Sequence, residues 1–192
     1  AKTRTVEEVR AAWQAGVRCF GHNYVQEAQT MLLQADFKAD WHMIGHLQRN
    51  KADLAVSLFD LVETLDSPRL ARELEKRCAQ QGKVLPVYIE INSGREENKD
   101  GALPEDVDAL AEMIGTLPHL QLQGLMTMGP LTGDAELSRP YFRTTRGIFD
   151  RIKKVYPDIR WLSMGMSHSY RVAIEEGANL VRIGTALFGL RK

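Results

Sequence analysis

Short apolar runs alternate with amphipathic segments along this 192-residue chain. The runs recur about every 25 residues and have the length of buried strands. The segments between them carry apolar residues at helical spacing. Thr5 suits the N-cap of the first helix, with Gly16 beyond its end, and Pro68 suits the first position of a later helix. The predicted strands span residues 17–21, 41–45, 59–65, 84–92, 120–128, 159–165 and 179–184.

This serial alternation predicts parallel strands, either in a doubly wound open sheet or in a (β/α)8 barrel. No GxGxxG motif follows a predicted strand, so the dinucleotide-binding open sheet has no support. One more strand just before Lys2 would complete a barrel and would place Lys2 at a strand's C-terminal end, where barrels carry their chemistry. We therefore expect an α/β fold, a TIM-type (β/α)8 barrel whose first strand is apparently absent from the chain. Residues 1–192 would form a single domain.

The charge balance limits the classes of partner. Twenty-five basic residues offset 25 acidic ones, whereas nucleic-acid-binding proteins usually carry a basic excess. No apolar run approaches the roughly 20 residues of a membrane span. Cys19 and Cys78 lack the spacing of a metal site or a redox motif. These features favour a cytoplasmic protein without a nucleic-acid or membrane partner.

The last two predicted strands end in loops that suit a phosphate group. They read "SMGMS" (163–167) and "RIGTALFG" (182–189), and the equivalent loops of barrels frequently bind phosphate through backbone N–H groups. For either loop alone, tight turns and helix caps explain the residues equally well. The two together favour phosphate. The candidate ligands are Ser163, Ser167, Gly184 and Thr185.

Arg182 lies between Val181 and Ile183 on the last predicted strand, so alternation turns its side chain into the barrel. A buried guanidinium needs an acceptor, either in a structural salt bridge or on a ligand. By contrast, His42 and His46 are separated by a strand end and a turn, so we expect no metal site from this pair. A lysine, an interior arginine and a phosphate site together suit pyridoxal 5′-phosphate, whose aldehyde condenses with a lysine amine.

Five motifs, in this order, resemble the pyridoxal phosphate homeostasis protein family, whose fold is similar to the N-terminal barrel of alanine racemase. They are "FGHNYVQE" (20–27), "WHMIGHLQRNK" (41–51), "GLMTM" (124–128), "LSMGMS" (162–167) and "VRIGTALFG" (181–189). The resemblance implies that Lys2, in "AKTRT", is the cofactor lysine and that Arg182 meets the pyridine nitrogen. It implies that Asn23 lies near the cofactor. It assigns the phosphate to Ser163, Ser167, Gly184 and Thr185.

The chain departs from this family at two places. His22 stands where the family usually has glutamate, and "HSYR" follows "GMS" where the family usually has an aspartate nearby. Neither departure changes the lysine, the arginine or the phosphate loops.

The resemblance and the chemistry of Arg182 favour a carrier over an enzyme. An arginine can only donate to the ring nitrogen, which leaves the ring a weaker electron sink, although alanine racemases work with such an arginine. Alanine racemases also need a second base, a tyrosine from a C-terminal domain, and the chain ends at Lys192 without room for one. We expect a monomeric protein of vitamin B6 homeostasis that holds the cofactor as a Schiff base on Lys2, with no catalytic residues and with apo-forms of pyridoxal phosphate enzymes as candidate recipients. The alternatives are an amino-acid racemase or related lyase that uses pyridoxal phosphate, and a barrel enzyme acting on a phosphorylated metabolite.

Overall fold

The computed structural model describes residues 1–130 and 133–190. Two residues of the predicted loop at 129–134, Leu131 and Thr132, lie outside these ranges. So do Arg191 and Lys192, at the end of the expected domain. Among the described residues, no helix combines the length and the apolar character needed to cross a bilayer.

Seven parallel strands form a nearly closed barrel in which strand order follows chain order. Each strand overlaps one of the predicted apolar runs, and alternation with helices is maintained throughout, which confirms the predicted fold class. The strands are β1 Cys19–His22, β2 Asp40–Met43, β3 Leu61–Leu65, β4 Leu85–Ile91, β5 Leu120–Thr127, β6 Trp161–Met166 and β7 Leu180–Arg182.

Most helices follow the predicted amphipathic segments. Thr5 caps α1 in a capping box with Glu8, and Pro68 begins α4 after the Ser67 N-cap. A 3-10 turn, Ala135–Ser138, directly precedes the helix Arg139–Val155. The helices are α1 Val6–Gln14, α2 Val25–Gln34, α3 Ala52–Leu58, α4 Pro68–Gln81, α5 Val107–Gly115, α6 Arg139–Val155, α7 Tyr170–Glu175 and α8 Thr185–Phe188.

The barrel has apolar side chains packed on its outer face, and both apolar and polar side chains in its interior. Between the sheet and the helices lies a continuous core of buried aliphatic and aromatic side chains. Inside the barrel, Leu61, Tyr88 and Met126 form a separate buried cluster with Leu180 packed against it. Polar side chains are also buried within the sheet, and burial of this kind requires hydrogen-bond partners. The buried polar residues of the strands are His22, Glu63, Thr64, Glu90, Thr127 and Ser163.

A seam separates the first and last strands. In the part of the chain that the structure describes, β1 pairs with β2 and β7 pairs with β6, but no ladder joins β1 to β7. Side chains from both of these strands, and from the segment around Lys2, line a cavity at this seam.

Candidate functional site

One cavity of about 380 Å³ brings together six of the seven residues that sequence analysis assigned to the cofactor. They come from the chain start, from the end of β1 and from the loops after β6 and β7. Residues so far apart in sequence meet because parallel strands deliver their C-terminal ends to one face of the barrel. The six are Lys2, Asn23, Ser167, Arg182, Gly184 and Thr185.

Backbone donors converge in the predicted phosphate loop. The N–H groups of Gly184 and Ala186 both donate to Ser167 Oγ, each at a distance of 3.1 Å. A Cβ built on Gly184 would meet no atom within 4 Å, so there is open space beside this loop. Two amides and a hydroxyl next to open space form a donor set that fits a phosphate dianion.

Gly165 holds the loop after β6 against α7. Its φ is +94°, and an added Cβ would lie 2.5 Å from the Cβ of Ala173 and 3.0 Å from the Cα of Tyr170. A side chain there would be both strained and obstructed. This close approach positions Ser167, two residues further on.

Arg182 points into the barrel, as its alternation predicted. One guanidinium nitrogen donates to Ser163 Oγ at 2.6 Å, and another donates to the Thr127 carbonyl at 2.9 Å. Burial lowers the pKa of Arg182, but Glu63 and Glu90 act in the opposite direction. Because an arginine titrates far above neutrality, the group stays cationic and acts only as a donor.

Ser163 does not join the other predicted phosphate ligands. It is fully buried, and its hydroxyl donates to Glu63 Oε2 at 2.6 Å while accepting from Arg182. It is absent from the described residues that line the cavity. The reason is its place on β6, where the side chain turns into the barrel, whereas Ser167 lies beyond the strand end. In the structure Ser163 orients Arg182.

Sequence analysis missed the buried pair of His42 and Glu63. His42 Nδ1 donates to Glu63 Oε1 at 2.8 Å, and both side chains line the cavity. Burial by itself lowers the pKa of His42, but its contacts with Cys19 and Glu63 outweigh burial and raise that pKa to about 10. Burial likewise acts to raise the pKa of Glu63, yet the hydrogen bond from His42 and the charge of Arg182 bring it below its usual value. A glutamate inside the apolar run "LVETL" was the available signal.

Glu90 is a second buried acid of the barrel, on β4. Burial raises its pKa to about 8, and the negative charges of Asp66 and Asp100 add to this effect. At neutral pH Glu90 is therefore mainly protonated and uncharged. It thus adds no second negative charge near that of Glu63.

The segment that carries Lys2 is tied to the phosphate loop. The Arg4 guanidinium donates to the carbonyls of Phe188 and Gly189, at 3.1 and 2.6 Å. Lys2 Nζ lies 5.0 Å from the ring centroid of Tyr24. These contacts hold the lysine at the cavity wall, close to the strand ends.

The two departures from the family pattern have different surroundings. His22 is 1% exposed, and neither of its ring nitrogens has a hydrogen-bond partner among the described residues. Burial lowers its pKa to about 4, so it is neutral at pH 7. In "HSYR", Ser169 Oγ accepts from the Met166 N–H at 3.2 Å and so closes the turn after β6.

Comparison with known proteins gives a consistent result over the whole chain. The family described as "Alanine racemase, N-terminal domain" matches residues 2–192. A protein named "Pyridoxal phosphate homeostasis protein" in Aquifex aeolicus is 42% identical over 193 residues, which is 100% of this chain and 85% of that protein. One of the same name in Pasteurella multocida is 40% identical and covers 99% of this chain and 84% of its own length.

Solved structures show the same fold. PipY of Synechococcus elongatus without PLP superposes with a TM-score of 0.91 at 34% identity, covering 98% of this chain and 89% of that one. PipY with PLP bound gives a TM-score of 0.87 at 33% identity, with the same coverage. An alanine racemase from Clostridium difficile has a TM-score of 0.79 at 17% identity, covering 97% of this chain and 47% of its own, and therefore shows the fold alone.

Proposed function

The chain belongs to the pyridoxal phosphate homeostasis proteins, within the family of the alanine racemase N-terminal domain, and from that premise we propose that it binds pyridoxal 5′-phosphate as a carrier in vitamin B6 homeostasis. PipY, with about a third of its residues identical, has a structure with PLP bound. In this proposal Lys2 is the residue that binds the cofactor covalently. The cofactor has a reactive aldehyde at one end and an anionic phosphate at the other.

One observation carries this proposal. Lys2 lines the same cavity as Ser167, in the loop after β6, and Gly184 and Thr185, after β7. More than 150 residues separate Lys2 from these loops. An amine beside one wall and a set of phosphate donors beside another fit the two ends of the cofactor. The cavity's lining also includes Arg182, a cation whose orientation is fixed by Ser163.

In the proposed complex, each residue has a distinct task. Lys2 would hold the cofactor through its amine, as a Schiff base with the aldehyde that forms with loss of one water molecule. Ser167 and the amides of the loop after β7 hold the phosphate. Arg182 directs a guanidinium N–H at the pyridine nitrogen, and Ser163 and Thr127 fix its orientation. Asn23 also lines this cavity and would lie near the cofactor.

The nature of Arg182 supports a carrier over a catalyst. The cofactor when bound supplies an electron sink for carbanion chemistry, and that sink is strongest when an acid protonates the ring nitrogen. A permanently charged arginine donates a hydrogen bond but gives up no proton. We therefore propose that the chain has no robust catalysis of its own, acts as a monomer in the cytoplasm, and passes the cofactor to apo-forms of pyridoxal phosphate enzymes.

Borohydride reduction tests the assignment of Lys2. The purified chain, incubated with pyridoxal phosphate and reduced, should carry one phosphopyridoxyl group, and peptide mapping should locate it on Lys2. Lys2→Arg should lose the label, whereas Lys38→Arg, a matched change at an exposed lysine, should retain it. Label confined to other lysines would overturn the assignment.

Turnover assays test the carrier hypothesis separately. The loaded protein is incubated with single L-amino acids, and formation of D-isomers or keto acids is followed. We expect neither above the rate with free cofactor. Turnover at rates of at least about 1 per second, ordinary for enzymes, would instead establish the racemase or lyase alternative.

A further inference from the structure

Three potential metal ligands meet on a part of the barrel mouth that the proposed cofactor site does not use. His46 follows β2, Asp66 follows β3 and Asp100 lies in the loop after β4. Consecutive βα loops thus contribute one side chain each. His46 Nδ1 lies 3.0 Å from Asp100 Oδ1 and 3.8 Å from Asp66 Oδ2, and the three donor atoms all lie within 4.8 Å of one another.

These separations suit a small divalent ion. Ligand atoms about 2.1 Å from a zinc ion lie roughly 3.4 Å apart in a tetrahedron. The two distances from His46 bracket that value, so small side-chain rotations would complete the geometry. One imidazole nitrogen and two carboxylate oxygens, with a fourth position left for water, form a donor set suited to zinc and related cations.

The two aspartates have no lysine or arginine partner among the described residues. In the described part of the chain, neither Asp66 nor Asp100 pairs with a lysine or an arginine, and His46 is the ion-pair partner of both. The cations in the loop after β4 are engaged elsewhere, because Arg95 pairs with Glu105 and Lys99 pairs with Glu96, each at 2.6 Å. The cluster therefore keeps a net negative charge.

Glu90 is a buried acid that is affected by the charge of this cluster. Its side chain is 3% exposed, and across residues 1–130 and 133–190 its carboxyl has no recorded hydrogen bond. The negative charges of Asp66 and Asp100 both act to raise its pKa. Because Glu90 is mainly protonated at neutral pH, the negative charge at the mouth belongs to the two aspartates, and a divalent ion would offset it.

We propose that His46, Asp66 and Asp100 form a binding site for a divalent metal ion of the zinc class. The ion joins the loops after β2, β3 and β4, and it binds apart from the cavity that contains Lys2. Because the proposal uses none of the cofactor ligands, it holds whether or not the chain binds pyridoxal phosphate.

Calorimetric titration of the cofactor-free protein with Zn²⁺ tests this site. We expect one ion per chain, and His46→Gln and Asp100→Asn should each weaken binding by at least roughly tenfold. Asp106→Asn, a matched change at an exposed aspartate at the other end of the same loop, should leave the affinity unchanged. Circular dichroism of each variant verifies folding. Equal weakening by Asp106→Asn, or no stoichiometric binding, would overturn the proposal.

Location of the ion provides a second readout. Crystals soaked in zinc chloride should show an anomalous peak between the His46 imidazole and the two aspartates. Zn²⁺ should also raise the melting temperature of the wild type and leave that of Asp100→Asn unchanged, because an ion that binds the folded state stabilises it. A peak on Cys19 or His22 instead, with none at His46, would refute the assignment.

Discussion

Arg182 and Ser163, on the adjacent strands β7 and β6, are joined by a 2.6 Å hydrogen bond inside the barrel. The same serine hydroxyl donates to Glu63, so it connects a cation and a carboxylate that are themselves 3.9 Å apart. Sequence analysis assigned Ser163 to the phosphate, whereas in the structure its hydroxyl is engaged by Glu63 and Arg182 and does not line the cavity. These contacts lead to opposite expectations for Ser163 and Ser167, one for the stability of the fold and the other for cofactor affinity.

Ser163→Ala should lower stability more than phosphate affinity. The change leaves a buried guanidinium N–H and a Glu63 oxygen without their partner, which costs about 1–3 kcal/mol. Urea denaturation of the cofactor-free protein measures this loss. Stability equal to the wild type, together with loss of cofactor binding, would instead restore Ser163 as a phosphate ligand.

Ser167→Ala should have the reverse effect. The exposed end of the loop loses a hydroxyl that can donate to the phosphate, a charge-assisted bond worth about 1.5–3 kcal/mol, so cofactor affinity should fall roughly 10- to 100-fold. Spectroscopic titration with pyridoxal phosphate measures the affinity. Thr144→Ala, on the exposed face of α6, is the control and should bind like the wild type. Unchanged affinity in Ser167→Ala would contradict the phosphate assignment.

His42 makes stability depend on pH. Its pKa is about 10 in the folded chain and about 6.5 when unfolded, so the folded state binds the proton more tightly. The resulting stabilisation is complete below pH 6.5 and is lost as the pH rises through 10. We expect the free energy of unfolding to fall across this window by an amount on the order of a few kcal/mol.

His42→Gln keeps a hydrogen-bond donor for Glu63 but cannot carry the charge, so its pH profile should be flatter than that of the wild type. Denaturation at a series of pH values provides the comparison. His168→Gln, in the exposed loop after β6, is the control and should keep the slope of the wild type. A wild-type slope in His42→Gln would show that another group is responsible.

Gly165→Ala should destabilise the protein by about 2 kcal/mol or more, because the residue has φ +94° and the new Cβ would collide with Ala173. Gly147→Ala is a matched control within α6, where a Cβ meets no atom within 4 Å. The control should be neutral or stabilising by up to about 1 kcal/mol, since alanine favours the helix. Thermal denaturation measures both changes, and equal effects would refute the steric argument.

Local pattern and local chemistry were sufficient for much of the molecule. The apolar runs located all seven strands, because strands buried on both faces consist mainly of apolar residues. Thr5 and Pro68 marked helix starts, because these signals act on residues within one turn. The loops around Ser167 and Gly184 were recognisable from their glycines and hydroxyls. These features depend on neighbours in sequence, which the sequence contains directly.

Tertiary structure alone decided which polar groups meet. His42 and Glu63 lie 21 residues apart, and Glu63 and Ser163 lie 100 apart, yet they form one buried network. The curvature and register of the nearly closed sheet decide such partners, and neither is encoded in a local pattern. The same geometry removed Ser163 from the phosphate loop and brought His46 to two aspartates from other loops. Hydrophobic periodicity thus determined the elements, while closure of the barrel determined the chemistry inside it.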